Sequence, residues 1–107
     1  MTWNLLLWHW APEYDTPSKR KKKAVKFTDI TSQFAVSGDH PAIGDADISA
    51  FRIAVDQEFG ENEHSRPFVF HDHGKCATIS YPDSVSFQLV QKIATIGRRF
   101  GLNASDF

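Results

Sequence analysis

Two histidines that flank a carboxylate are the first candidates for chemistry in this 107-residue chain. His71 and His73 stand on either side of Asp72, and both imidazoles would point to the same face if residues 71–73 were extended. This spacing is compatible with a pair of metal ligands, but the sequence fixes no third ligand and contains no His-Glu-x-x-His helix. We therefore predict a polar turn there, with no metal and no other cofactor.

Nucleophilic catalysis is disfavoured by the surroundings of the single cysteine. Cys76 opens an alternating strand pattern, in which a cysteine usually packs as a small apolar side chain. A Gly-x-Ser-x-Gly elbow, a P-loop and a Gly-x-Gly-x-x-Gly loop are all absent from the sequence. We therefore predict that the chain is not an enzyme.

Alternation of apolar residues predicts the strands that would position these side chains. Residues 2–10 carry bulky side chains on both faces, which is typical of a central strand that is either covered on each side or covered on one side and used for binding on the other. One face holds Trp3, Leu5 and Leu7, and the other holds Leu6, Trp8 and Trp10. Two further strands are predicted over 67–71 and 76–81, joined by a hairpin at 72–74 in which a glycine supplies positive φ. A short last strand is predicted within 102–107.

Apolar spacings of three and four predict the helices. A polar connector leads into a helix that begins near Thr16 or Ser18, and a helical region follows that ends at Gly38. A clearer helix over 48–59 is capped by Asp45 or Asp47. The last helix has an apolar stripe of Val85, Leu89, Ile93, Ile96 and Phe100. The residues predicted to share one core are Phe51, Val55, Ala77, Ile79, Leu89, Ile93 and Ile96.

The order of these elements predicts an α+β fold in one domain, residues 1–107. Two amphipathic helices on one sheet give a two-layer sandwich, and the order β-α-β-β-α-β is the ferredoxin-like arrangement. The region near residues 28–37 is predicted to add an extra helical turn.

Charge is distributed unevenly along a chain whose composition is otherwise ordinary. Hydrophobic residues make up 41%, charged residues 23%, and the formal net charge is −1. The basic run over residues 19–26 contrasts with the stretch from Asp39 to Asp72, where eight carboxylates face two arginines, a charge of about −6. No apolar segment is long enough to span a membrane or to form a secretory signal, so we expect a cytoplasmic protein.

A nucleic-acid-binding domain is one alternative. RNA-recognition domains stack bases on aromatic residues of their sheet, and candidate strands here carry Trp8, Trp10, Phe68 and Phe70. The basic run 19–26 has the composition of a phosphate-binding segment. However, residues 76–81 lack the aromatic-glycine pattern of those domains, and isolated basic clusters are usually solvated. We therefore consider nucleic acid an unlikely partner and expect no submicromolar binding at physiological salt.

Several segments together resemble a group of small bacterial cytosolic proteins. They are the opening Trp3-Asn4-Leu5-Leu6-Leu7-Trp8-His9-Trp10, the helix Ile48 to Phe59, the strand-strand-helix unit and the closing Gly101-Leu102-Asn103. Several proteins of this group are immunity proteins of polymorphic or contact-dependent toxin systems. The resemblance implies a protein that neutralises a cognate toxin by binding to it. It implies no catalytic residue.

These observations favour a protein-binding domain over an enzyme. Its acidic stretch would complement a basic toxin surface and would accelerate the encounter. The candidate partner-binding residues are Glu61, Glu63, His71, Asp72, His73, Trp8 and Trp10. A nucleic-acid-binding domain that uses residues 19–26 and a globular domain with no function readable from its sequence remain the alternatives, and the oligomeric state is left open.

Overall fold

The computed structural model of the chain describes residues 2–60, 66–85 and 87–107. Its sheet has five strands: β1 (Thr2–Trp10), β2 (Ile43–Gly44), β3 (Val69–Asp72), β4 (Ala77–Pro82) and β5 (Asn103–Asp106). Every pairing among these strands is antiparallel. The prediction that β1 is central is confirmed, because β1 pairs with β4 along one edge and with β5 along the other. β3 pairs with the far edge of β4.

β2 is a two-residue strand that the sequence analysis did not predict. It pairs with the end of β1, where Gly44 lies opposite His9. Glycine is required at this position because a Cβ atom would lie 2.7 Å from the backbone Cα of Ala11. Lys75 Nζ donates a hydrogen bond of 3.2 Å to the carbonyl of Ile43, which ties β2 to the β3–β4 hairpin.

Four helices lie within the described ranges: α1 (Pro17–Lys23), α2 (Phe27–Ser37), α3 (Ile48–Phe59) and α4 (Phe87–Arg99). A short 3-10 turn at Pro12–Tyr14 precedes them. The predicted start of α1 is confirmed, since Thr16 Oγ1 accepts the backbone N–H of Lys19. Asp47 caps α3 in the same way by accepting the N–H of Ala50. The fold is therefore α+β, as predicted.

One face of the sheet is covered by α3 and α4. Leu5 and Leu7 of β1 lie on this face and pack with Phe51 of α3 and Ile93 of α4, all at most 3% exposed. Six of the seven residues predicted to share a core are buried in this cluster. Leu89 differs, because it is only partly buried at the margin of the cluster.

The other face of the sheet is covered by α2. The region predicted as an extra helical turn is an eleven-residue helix, and its Ile30 and Phe34 pack on Trp8 and Trp10 of β1. The sheet therefore has helices on both faces here, where the sequence analysis predicted two layers. The physical reason lies in the two indoles, since rings of this size need a covering element to leave water.

Candidate protein-binding surface

The residues predicted to bind a partner are placed in different environments. Trp8 and Trp10 are 0% and 8% exposed between β1 and α2, so a partner cannot contact them while the domain is folded. We reassign both from the binding surface to the core. His71 and Asp72 are exposed at the end of β3, and His73 lies in the loop that leads to β4. Glu61 and Glu63 lie outside the described residues, so their role stays a prediction.

Asp72 and His73 stabilise the β3–β4 hairpin. Asp72 Oδ1 accepts the backbone N–H of Gly74 at 2.8 Å, and Gly74 adopts the positive φ of 87° that the hairpin was predicted to need. His73 Nε2 lies 2.9 Å from Thr78 Oγ1, and its ring packs edge-on against Phe34. Burial lowers the pKa of His73 below its usual 6.5, so the imidazole is neutral at pH 7. Both side chains therefore have a structural role in the turn.

Carboxylates of the acidic stretch are engaged within the fold. Three of them form ion pairs: Asp39 with Lys75, Asp56 with Arg66 and Glu58 with Lys92. The hydrogen bond from Lys75 lowers the pKa of Asp39, as expected for a paired carboxylate. Because these carboxylates are paired within the fold, the acidic stretch attracts a basic partner less strongly than its charge in the sequence indicates.

An exposed aromatic surface lies at the start of β1, where the sequence analysis did not predict one. We define the aromatic patch by six residues that line an open cavity of about 210 Å³: Trp3, Tyr81, Asp83, Val85, Phe87 and Asp106. Trp3 is 44% exposed and Phe87 is 72% exposed. Contiguous exposed apolar surface bordered by polar groups is typical of an interaction site.

Three elements of the fold hold the aromatic patch in place. The register of β1 and β4 sets Trp3 directly opposite Tyr81, and Phe87 is the first described residue of α4. The indole N–H of Trp3 donates to the carboxylate of Asp83. Burial raises the pKa of Tyr81, and Asp106 raises it further, so the phenol stays protonated and can donate a hydrogen bond.

The sequence contains a signal for part of this patch. Phe87 lies off the apolar stripe that begins at Val85 and Leu89, and a large aromatic residue off the stripe of an amphipathic helix has no place in the core beneath that stripe. No such signal exists for Trp3, since the alternating pattern of the strand puts it on the same face as the core residues Leu5 and Leu7. Trp3 is exposed because it lies near the end of the strand.

Comparison with known proteins adds no assignment to this surface. No protein-family model, curated protein or solved structure matches the chain. Within the described ranges, no helix is long and apolar enough to cross a membrane. No group of three or more potential metal ligands occurs among the same residues. Function must therefore be inferred from the surface itself.

Proposed function

We propose that this chain is a small cytoplasmic protein-binding domain of the immunity type, which neutralises a cognate toxin by binding to it through the aromatic patch. The observation that carries the proposal is the exposure of Trp3 and Phe87 beside Tyr81. Tryptophan and tyrosine are enriched among the few residues that supply most of the binding energy in protein interfaces. The patch offers two such residues next to an exposed phenylalanine.

The rigidity of the patch favours tight binding. Association costs free energy whenever flexible side chains become ordered, so an anchor that is already held in place loses less. Trp3 is fixed by its pairing with Tyr81 across β1 and β4 and by its hydrogen bond to Asp83. The patch therefore presents pre-ordered aromatic anchors to a partner.

The charge around the patch indicates the kind of partner surface. Asp83 and Asp106 line the same cavity as the aromatic residues. Complementary charge at the border of an interface accelerates association and selects the partner. A toxin that binds here would present an apolar pocket bordered by lysine or arginine, and the basic groove of a nuclease-type toxin would supply such cations. We propose binding, with no catalytic step, as the means of neutralisation.

A finer assignment of the fold accompanies this proposal. The side-by-side order β5-β1-β4-β3 supports a ferredoxin-like unit made of β1, α3, β3, β4, α4 and β5. In this reading α1, α2 and β2 are one insertion between β1 and α3. The insertion contributes no residue to the aromatic patch.

The proposal is tested by a growth assay with matched variants. The chain is co-expressed with the product of the neighbouring reading frame in a host that lacks both. We expect the parent to protect growth and Phe87→Ser to lose protection, because Phe87 is 72% exposed and its replacement leaves the core intact. Ile53→Ser is the control, since Ile53 is also an exposed apolar residue, 58% exposed, but lies on α3 outside the patch.

Binding affinity provides the second measurement. Titration calorimetry with the same product should give a dissociation constant at least tenfold weaker for Phe87→Ser than for Ile53→Ser, since interface anchors cost about 2 kcal/mol or more when truncated. Equal affinities would place the interface elsewhere on the domain. Lack of protection by the parent would refute the immunity function.

A further inference from the structure

We propose that a second surface, built on α1 and the start of α2, binds single-stranded nucleic acid. We define the basic strip by its six residues: Lys19, Lys22, Lys23, Lys26, Phe27 and Arg98. None of these six residues belongs to the aromatic patch, and the two surfaces adjoin at Asp106, which lines a cavity of each. The charge of the basic strip, its rigidity and its exposed aromatic ring support the proposal separately.

The cations of the basic strip are not neutralised within the fold. Among the described residues, no ion pair joins a lysine of α1, Lys26 or Arg98 to a carboxylate, in contrast to the paired acidic stretch. Lys19, Lys22 and Lys23 are spaced by three and four, so they share one side of α1 and line an open cavity of about 620 Å³. Glu13 is the carboxylate at this cavity, which leaves it with an excess of positive charge.

The helix that carries these lysines is fixed to the core. Arg20 Nε donates to the carbonyl of Tyr14 at 2.8 Å, and its guanidinium lies 4.3 Å from the centre of the Trp10 ring. Lys19 Nζ donates to the carbonyl of Pro12 at 3.2 Å. Arg20 therefore has a structural role, and the lysines of α1 lie on a helix that is held in place before any partner binds.

An exposed aromatic ring continues the basic strip. Phe27 is 55% exposed, although one side of it packs on Trp8 and Trp10 with ring centres 6.0 and 5.6 Å away. It lines a cavity of about 560 Å³ together with Arg98 and Asn103. The Asn103 Nδ2 atom is buried and has no hydrogen-bond partner within the described part of the chain. The cavity thus offers an aromatic ring and a guanidinium, and Asp106 is the carboxylate that lines it.

This combination fits a single strand better than an acidic protein. Single strands are bound by a positively charged groove that follows the phosphates and by aromatic rings on which bases stack. Carboxylates of an acidic protein would use the lysines but would gain nothing from the face of Phe27. The sheet itself offers no stacking surface through the predicted residues, because Trp8, Trp10, Phe68 and Phe70 are all buried. The basic strip therefore keeps the basic run that the sequence indicated for phosphates, but it replaces the buried sheet aromatics by Phe27 as the stacking residue.

The test measures fluorescence anisotropy of a labelled 20-nucleotide oligothymidylate against salt. With about four phosphates neutralised, affinity should fall roughly 50-fold between 50 and 200 mM salt. At physiological salt the dissociation constant should be weaker than about 1 μM, as is typical of non-specific binding. Lys22→Glu with Lys23→Glu should abolish binding at 50 mM salt.

Two neighbouring arginines provide a matched pair. Arg98 lines the cavity beside Phe27, whereas Arg99 lines a different cavity beside Glu58 and Lys92. Arg98→Glu should weaken oligonucleotide binding at least tenfold, and Arg99→Glu, which makes the same change of charge, should weaken it much less. Equal losses would show that only net charge matters and would overturn the proposed strip.

A Phe27 variant distinguishes nucleic acid from an acidic protein as the partner of the basic strip. Phe27→Leu keeps apolar contact with the core but removes the aromatic face, so oligothymidylate should bind about tenfold more weakly. Binding of polyglutamate, which has no bases, should be unchanged by this variant and weaker than that of the oligonucleotide. If polyglutamate bound more tightly than the oligonucleotide, or if Phe27→Leu had no effect on oligothymidylate binding, the partner of the basic strip would be an acidic protein and the proposal would be wrong. No binding of the parent at 50 mM salt would refute the proposal.

Discussion

The two ends of β1 both carry a tryptophan, and the fold places them in opposite environments. Trp10 is 8% exposed and lies beneath the guanidinium of Arg20. Trp3 is 44% exposed, and its neighbour Phe87 is exposed as well. Seven residues of extended chain separate the Cα atoms of the two tryptophans by about 23 Å. The same residue type is therefore a core residue at one end of the strand and a surface residue at the other.

The charged residues near the two ends of β1 also differ. Arg20 lies over Trp10 and Lys23 lies over Tyr14, which stacks on Trp10, whereas Asp83 and Asp106 border Trp3. At the Trp10 end the indole itself is covered by Arg20, so a partner meets the lysines and the exposed ring of Phe27 instead. At the Trp3 end the rings themselves are open. Residue type alone does not identify a binding site here, because the covering element decides which groups a partner can reach.

Replacement of each tryptophan tests this contrast in stability and should give the largest effect. Trp10→Ala should lower the free energy of unfolding by about 3–5 kcal/mol, because a buried ring is lost and a cavity remains. Trp3→Ala should cost clearly less, since nearly half of its surface already contacts water. Urea denaturation followed by circular dichroism measures both values. Equal costs would show that Trp3 belongs to the core.

The backbone at the Trp10 end should be nearly as sensitive. Gly44→Ala places a Cβ atom 2.7 Å from the Cα of Ala11 and 2.8 Å from the carbonyl oxygen of Trp10, and these backbone atoms cannot turn aside as a flexible side chain could. We expect a loss of about 1–3 kcal/mol, as for other overpacked sites. Growth protection per folded molecule should be unchanged, because the aromatic patch lies at the other end of β1. An unchanged urea midpoint would mean that β2 can detach from β1 at no cost.

The cation over Trp10 should contribute a smaller amount. Arg20→Ala removes the stacking on the ring and the hydrogen bond to Tyr14, with an expected loss of about 1–2 kcal/mol. Lys22→Ala on the same helix should change stability by less than about 0.5 kcal/mol, because this lysine is exposed. A similar loss for both variants would show that α1 is stabilised by its charge as a whole and not by Arg20.

Much of the fold could be predicted from local signals in the sequence. Alternation from Trp3 to Trp10 identified a central strand, and Thr16, Asp47 and Gly74 marked helix starts and a turn that the structure contains. These signals are local, since each depends on a few neighbouring residues. β2 gave no signal because two residues are too few for a pattern.

The binding surface was harder to predict because exposure depends on distant parts of the chain. Trp8 and Trp10 are buried by α2, a helix whose extent the sequence analysis underestimated. Trp3 and Phe87 are separated by more than eighty positions in the sequence and meet only when β1 pairs with β4. Partial neutralisation of the acidic stretch also required the fold, since Asp39 and Lys75 are far apart along the chain.

Acid should loosen the Trp10 end of β1 before the Trp3 end, and this is the smallest effect that we predict. His40 Nδ1 accepts the backbone N–H of Ala42 at 2.9 Å, and the carbonyl of Ala42 accepts the N–H of Ala11 beside Trp10. A protonated imidazole has no lone pair at Nδ1, so protonation breaks the first of these bonds. Burial lowers the pKa of His40 below its usual 6.5, against the opposing pull of Asp29 and Asp39.

The lowered pKa of His40 determines how the stability of the fold changes with pH. The folded protein binds a proton at His40 less readily than the unfolded chain, so the stabilisation is complete above about pH 6.5 and is lost as the pH falls below it. The pKa of His73 is shifted in the same direction, so its contribution adds to the loss.

Amide hydrogen exchange between pH 7.5 and 5.5, corrected for intrinsic rates, should show reduced protection at Ala11 and Ala42. Protection should be unchanged at Phe107, whose N–H donates to the carbonyl of Asn4 at the other end of β1. His40→Asn offers an acceptor oxygen that does not titrate, so it should preserve protection at low pH. Equal loss at both ends of β1, or no rescue by His40→Asn, would show that acid acts on the whole domain and not through His40.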